Sequence, residues 1–242
     1  SLVYPTSSTH RTSVFQAYKN NGNGTFTQST TNTGLGVCYG QTLLVDFEND
    51  GDLDVYYSGG GNIGGYMLND GTGTFAAGVS NNTTRASNMV IADFNKDGIK
   101  DLLQSYANTS STPAPAFRML YNTSVGTTIT LTSASQTPVY GIGGTTSTTN
   151  MAMLTCSDYD SDGDLDYTQQ GLATATTPTT SLFLNSGTTA PTNPSFTDAA
   201  LGLTGLHYGG AEWADLNGDK LPDLITFGYT DFAATTASIV VN

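Results

Sequence analysis

One acidic nonapeptide recurs four times in a single register, and it constrains the fold more than any other feature of the chain. The copies are "DFENDGDLD" (46–54), "DFNKDGIKD" (93–101), "DYDSDGDLD" (158–166) and "DLNGDKLPD" (215–223). Positions 1, 5 and 9 are Asp in every copy: Asp46, Asp50 and Asp54; Asp93, Asp97 and Asp101; Asp158, Asp162 and Asp166; Asp215, Asp219 and Asp223. Position 3 is Glu48, Asn95, Asp160 or Asn217 and always offers an oxygen, while position 2 is apolar: Phe47, Phe94, Tyr159 and Leu216. Gly51, Gly98 and Gly163 hold position 6, as expected where the backbone turns with positive φ; Lys220 departs from that rule in the fourth copy.

Five aspartates at alternate positions repel one another unless a cation or solvent offsets them. Oxygen donors at alternate positions suit a hard cation, and Ca²⁺ takes six to eight oxygens. No Cys or His joins the clusters, which argues against zinc or copper. The start of each copy is like an EF-hand loop, but that loop requires a bidentate Glu at position 12 and flanking helices. Position 12 here is Tyr57, Gln104, Gln169 or Thr226, and the segments that follow ("LDVYYSGG", "KDLLQSY", "LPDLITFG") are short, β-rich and end in turn residues. The nonapeptides hold sixteen of the twenty acidic residues, so about four Ca²⁺ would take the formal charge from −13 to −5. Four solvated acidic turns are the plain alternative, but chance acidity would not keep one register four times.

A second element alternates with the first. "YKNNGNGTF" (18–26) matches "YMLNDGTGTF" (66–75), each an apolar strand, an Asn/Asp-Gly turn and a Thr-Phe return, which is a hairpin signature. "LYNTS" (120–124) and "LFLNSG" (182–187) repeat its beginning, the latter resuming at Ser195–Thr197, and "SIVVN" (238–242) matches its leading strand. The unit is therefore an apolar strand, an acidic loop, a second strand and an outer hairpin, with loops starting at 46, 93, 158 and 215. A period near 50 with four strands per unit is a propeller-blade signature. Thr/Ser/Gly-rich stretches at 123–150 and 172–195 are expected to be surface inserts, and no segment has a helical period. The expectation is one all-β domain over 1–242, with units at about 13–41 (partial), 42–87, 88–150, 151–208 and 209–242.

The unit D-x-[DN]-x-D-G-x-x-D between two strands, followed by Y-x-N-x-G-x-G-T-F, resembles the FG-GAP/VCBS repeat, the family of the α-integrin propeller and of many bacterial secreted proteins. The resemblance spans about residues 13–242 and is strongest in the first two units. It implies a β-propeller of four calcium-loop blades plus a partial one, the loops joining the two inner strands at one rim. Carried over, side-chain oxygens at positions 1, 3, 5 and 9 and the backbone carbonyl at position 7 (Asp52, Ile99, Asp164, Leu221) would hold each ion.

Function is less constrained. The acidic balance and only seven Lys/Arg argue against nucleic acid, which selects a basic face. No apolar run reaches the roughly 18 residues of a membrane helix, so no membrane insertion is expected. The chain begins at Ser1 without Met or a signal peptide and reads as a mature or trimmed product. Relaxed calcium loops suit an extracellular or cell-surface setting, where the ion is abundant. Cys38 and Cys156 are expected to be buried free thiols, with one disulfide as the alternative, and five N-x-S/T acceptors (Asn23, Asn81, Asn82, Asn108, Asn122) are compatible with secretion.

His10 and His207 stand in no nucleophile motif, and "SGGGNIGG" and "GIGG" read as blade turns, so no enzyme is expected. Two readings remain: a non-catalytic module for adhesion or cell-surface assembly, through self-association or another surface protein, or a carbohydrate-binding lectin or domain of a polysaccharide-active enzyme. Trp213 and Glu212 could serve a sugar platform, though a packed aromatic is the simpler use. The chain opens partway through a unit and closes where an outermost strand is due. The last blade is therefore expected to be completed within the chain or by a neighbouring copy.

Overall fold

The fold is described from a computed structural model, over residues 14–33, 41–59, 63–76, 78–80, 86–106, 117–133, 153–172, 177–187, 194–230 and 238–241. These contain seventeen strands and no helix; no helix is long and apolar enough to cross a membrane. In chain order the strands are β1 (Val14–Asn20), β2 (Phe26–Thr33), β3 (Thr42–Val45), β4 (Asp54–Gly59), β5 (Ile63–Met67) and β6 (Val79–Ser80). Next come β7 (Ala86–Ala92), β8 (Asp101–Tyr106), β9 (Phe117–Asn122) and β10 (Leu131–Ser133). They are followed by β11 (Met153–Ser157), β12 (Asp166–Leu172), β13 (Pro178–Asn185) and β14 (Phe196–Asp198). Last are β15 (His207–Ala214), β16 (Asp223–Tyr229) and β17 (Ser238–Val241).

Every sheet is an antiparallel meander. Three have four strands (β3–β6, β7–β10 and β11–β14), β15–β17 has three, and β1–β2 is a lone hairpin. The repeat explains this directly, because each acidic loop joins the first strand of a sheet to the second, and the Asn-Gly hairpin joins the third to the fourth. The register is tight: Asp166 opposes Ser157 across β11–β12, and Tyr167 opposes Phe183 across β12–β13. Two of the expected inserts prove partly structured, since β10 lies within 123–150 and β13 within 172–195. Their Thr/Ser content concealed strands because β13 ("PTTSLFLN") carries its apolar residues only at its end.

The chain divides into two compact units, Ser1–Asp46 with Gly51–Arg85, and Phe47–Asp50 with Ala86–Asn242. In the first, Val55, Tyr57 and Met67 form the core, with Phe15 and Phe75 packed against it. The latter two meet edge to face at 5.4 Å, so the β1–β2 hairpin rests on β3–β6. In the second unit the first strands run side by side, β11 meeting β7 on one side and β15 on the other. Between β7–β10 and β11–β14 lies the larger core, with Phe94, Leu103, Met119, Tyr121, Leu154 and Phe183. Tyr167 stacks on Phe183 at 4.9 Å and meets the edge of Phe196 at 5.0 Å.

Burial along the second strand of each sheet records which sheets are covered on both faces. Every residue of β12 is buried, whereas β16 alternates. A strand packed on both faces must be apolar or polar-satisfied throughout, which is why "DYTQQGL" shows no alternation.

Candidate metal centre

The four acidic loops adopt one backbone shape. Two residues in each have positive φ: Asn49 (57°) and Gly51 (96°), Lys96 (57°) and Gly98 (86°), Ser161 (62°) and Gly163 (86°), Gly218 (83°) and Lys220 (72°). These are positions 4 and 6. The sequence pointed to position 6 alone, because position 4 carries Asn, Lys, Ser or Gly and so leaves no uniform glycine mark. Lys220 takes the left-handed conformation that its neighbours in register reserve for glycine.

Side-chain oxygens hold that shape. The position-1 carboxylate accepts the N–H of position 6 in all four loops, Gly51 to Asp46 at 2.9 Å, Gly98 to Asp93 at 2.9 Å, Gly163 to Asp158 at 3.0 Å and Lys220 to Asp215 at 2.9 Å. The oxygen of position 3 accepts from position 5 in the last three, and position 5 accepts from position 7 there too. The bonds between positions 3 and 5 and between positions 5 and 7 are Asx turns, the local alternative that Asp and Asn offer the backbone in place of regular structure. They draw the chain around its own carboxylates.

Position 9 acts differently. The Asp166 carboxylate spans two strands, accepting the Tyr159 N–H at 2.9 Å on one oxygen and the Asn185 N–H at 2.8 Å on the other. Asp101 repeats this with Phe94 (3.0 Å) and Asn122 (2.9 Å). Asp54 accepts from Asn69 at 2.8 Å, and Asp223 from Leu216 at 2.9 Å. Asp54, Asp101 and Asp166 are fully buried. A carboxylate oxygen that accepts one N–H keeps a lone pair for a cation, so the clamp and a ligand role are compatible.

Sequence reading singled out the Asn that ends the third strand only as a turn residue. Its backbone meets position 9, and its side chain reaches the preceding acidic loop: Asn122 Nδ2 donates to the Phe47 carbonyl at 3.1 Å, and Asn185 Nδ2 to the Phe94 carbonyl at 3.0 Å. Phe47–Asp50 belong to the same compact unit as Asn122. Asn122 is therefore buried and engaged, so its N-x-S/T pattern is no accessible glycosylation acceptor in this fold. Asn23 is exposed on the β1–β2 turn; Asn81, Asn82 and Asn108 lie outside the described residues.

Within the nine residues of the first loop, Asp46, Glu48 and Asp54 each bring a ligand atom within 4.8 Å of the others; Asp158, Asp160 and Asp166 do so in the third. These are positions 1, 3 and 9. Asp50 and Asp162, at position 5, do not join the triads, and neither do Asp52 and Asp164 at position 7. Asn at position 3 leaves the second loop with Asp93, Asp97 and Asp101 beside Asn95, and the fourth with Asp215, Asp219 and Asp223 beside Asn217. Ile99 and Leu221 bring only backbone oxygen to position 7.

The third loop fits a hard cation best. Asp158 Oδ1 is buried and accepts no hydrogen bond among the described residues, an orphaned oxygen in a cluster whose donors are all oxygen. Asp164, also buried, faces away from that need: its carboxylate meets Lys96 Nζ at 2.5 Å and lies against Gly187. The hydrogen bond to Asp164 raises the Lys96 ammonium above its ordinary pKa.

Burial governs the carboxylates elsewhere. It pushes Asp101 up to about 7 despite the two N–H groups it accepts, and raises Asp166 for the same reason. Asp215 on the exposed fourth loop goes the other way, lowered by the backbone N–H of Lys220.

Residues beyond the loops settle smaller expectations. Trp213 packs against Tyr159, ring centroids 5.9 Å apart, the use of a packed aromatic. Cys156 is a free thiol, half-buried rather than buried, pushed up to about 11 by desolvation. His207 is buried against Tyr208 and Tyr229. Cys38, His10 and the "GIGG" stretch lie outside the described residues.

No curated protein matches the chain. Residues 46–103, from the first acidic loop through the second and into β8, match the family model described as the FG-GAP-like repeat.

Proposed function

We propose that the chain is a non-catalytic, extracellular calcium-binding module, its sheets arranged as propeller blades, that serves adhesion or cell-surface assembly. The observation that carries the reading is the third loop, where Asp158, Asp160 and Asp166 converge and the Asp158 Oδ1 is buried without a hydrogen bond. Oxygen-only donors in that arrangement match the preference of Ca²⁺. The ion would supply the positive charge that the buried Asp166 and the half-buried Asp158 lack.

The other loops extend the reading. Asp46, Glu48, Asp50, Asp54 and the Asp52 carbonyl would hold one ion, Asp93, Asn95, Asp97, Asp101 and the Ile99 carbonyl a second. Asp162 and the Asp164 carbonyl would complete the third site, and Asp215, Asn217, Asp219, Asp223 and the Leu221 carbonyl would form the fourth. In each case the chain's own part is to pre-fold the loop through hydrogen bonds to its own side-chain oxygens, so that little ordering remains when the ion binds. The four-stranded meanders and the side-by-side first strands β7, β11 and β15 support the blade arrangement.

Calorimetric titration of the chelator-treated chain with Ca²⁺ tests the reading. Saturable binding of several ions, with the strongest class lost in Asp158→Ala, is expected. No binding at extracellular calcium concentrations would overturn it.

A further inference from the structure

The outward face of the fourth loop and its sheet is built like an interface. Leu216 is 48% exposed where Phe47 and Phe94, in the same position, are each 1% exposed. Phe227 on β16 is 50% exposed where its counterparts Ser58, Ser105 and Gln170 are buried. The loss extends to hydrogen bonding. The Phe47 and Phe94 carbonyls each accept an Asn side-chain amide, whereas no described group donates to the Leu216 carbonyl.

The matching half lies on the β1–β2 hairpin. Phe15 and Ala17 turn toward β3–β6, while Val14 (52%), Tyr18 (55%) and Phe26 (64%) form an exposed apolar face on the other side. On that face stands Asn20, in register with Asn122 and Asn185. Its Oδ1 accepts the Gly22 N–H at 2.9 Å, as the Oδ1 of Asn122 accepts from Ser124 and that of Asn185 from Gly187, both at 3.1 Å. Locked in the same turn, Asn20 presents the same amide nitrogen, and no described group accepts from it.

We infer that the face formed by Leu216 and Phe227 docks the β1–β2 face of a second copy of this chain, with Asn20 Nδ2 donating to the Leu216 carbonyl. The occupant is set by what covers the equivalent surface elsewhere: a sheet whose third strand ends in this Asn. The contact is head to tail, uses different patches on the two partners and so propagates. It rests on the assembly reading above and names its surface.

Sedimentation of the full chain in calcium tests the contact, with Phe227→Glu and Tyr18→Glu each disabling one face. The wild-type mass should climb with concentration past twice the monomer. Each variant alone should stay monomeric, and an equimolar mixture should stop at the dimer, since one intact face remains on each. Asn20→Ala should weaken the wild-type association about tenfold, near what one hydrogen bond is worth. Unchanged circular dichroism and calcium-dependent melting of the variants shows that they fold. A wild-type monomer at every concentration, or a mixture that does not associate, overturns the inference. The calcium reading would survive either result, because melting with and without the ion reports on it separately.

Discussion

The third and fourth acidic loops share a shape and differ in almost everything around it. Both place positive φ at positions 4 and 6, and both close position 1 on position 6 and position 9 on position 2. In the third, Asp166 is 1% exposed, its second oxygen is held by Asn185, and Lys96 reaches in from the second loop. In the fourth, Asp215, Asn217 and Asp219 are exposed and a lysine sits where glycine belongs. Loop shape is thus written within nine residues, whereas electrostatic tension comes from what packs against them. A buried carboxylate needs a partner more than a solvated one does.

The largest test of this contrast is removal of calcium. An ion that binds only the native state adds about 2.7 kcal/mol per site at a hundred times its Kd. Several such sites should make EDTA lower the melting temperature by more than about ten degrees, at about 2–4 °C per kcal/mol for a chain of this size. A shift of only a degree or two would end the structural role of the ion and with it the significance of burial in the third loop.

Next in size is the clamp. Asp166→Ala strips two backbone N–H groups of their acceptor, and the cost should be about 2–5 kcal/mol. Asp223→Ala removes a single bond at an exposed loop and should cost about 1 kcal/mol or less. Equal losses in chemical denaturation would break the comparison.

A pH series in chelator probes the same buried layer. Asp101 is held near 7 when folded, above its ordinary value of 3.8, because burial penalises its charge. The folded state therefore keeps a proton that the unfolded chain releases, and stability conferred below about 4 is lost as pH rises toward about 7. Melting in EDTA should be higher at pH 5 than at pH 8, and calcium should flatten the difference. A rise with pH in EDTA would contradict the assignment to burial.

The smallest effect is a reciprocal exchange at position 6. Lys220→Gly relieves a left-handed lysine and should stabilise the chain by about 0.5–1 kcal/mol, while Gly163→Lys should cost about 1–2 kcal/mol. If both exchanges are neutral, the loops do not share the backbone demand that their φ values indicate.

Much of this was legible in the residues themselves. The strand, loop, strand, hairpin order follows from period and turn chemistry, and Gly at position 6 announced its conformation. Position 4 did not, since Asn49, Lys96 and Ser161 adopt positive φ without a shared side chain. The Asn of "LYNTS" and "LFLNSG" was visible as a turn residue, but its bond to a loop tens of residues earlier exists only once sheets stack. The Lys96–Asp164 pair is hidden for the same reason, as is the burial that separates Asp101 from Asp215. Strand β13 escaped because threonine is as common in this chain's loops as in its strands.

The asparagine bridge has a consequence for how such a chain changes length. Asn122 and Asn185 each donate a side-chain amide to a carbonyl of the preceding loop, so these two junctions are made from the same two parts. Duplicating or deleting a whole repeat regenerates the junction without any compensating substitution. A crossover that falls between loop and hairpin still joins matching halves, provided that it falls at the same register in both copies. Unequal recombination between the repeats would therefore yield longer and shorter proteins that fold at once, and the number of repeats is the property of this architecture most open to evolutionary drift.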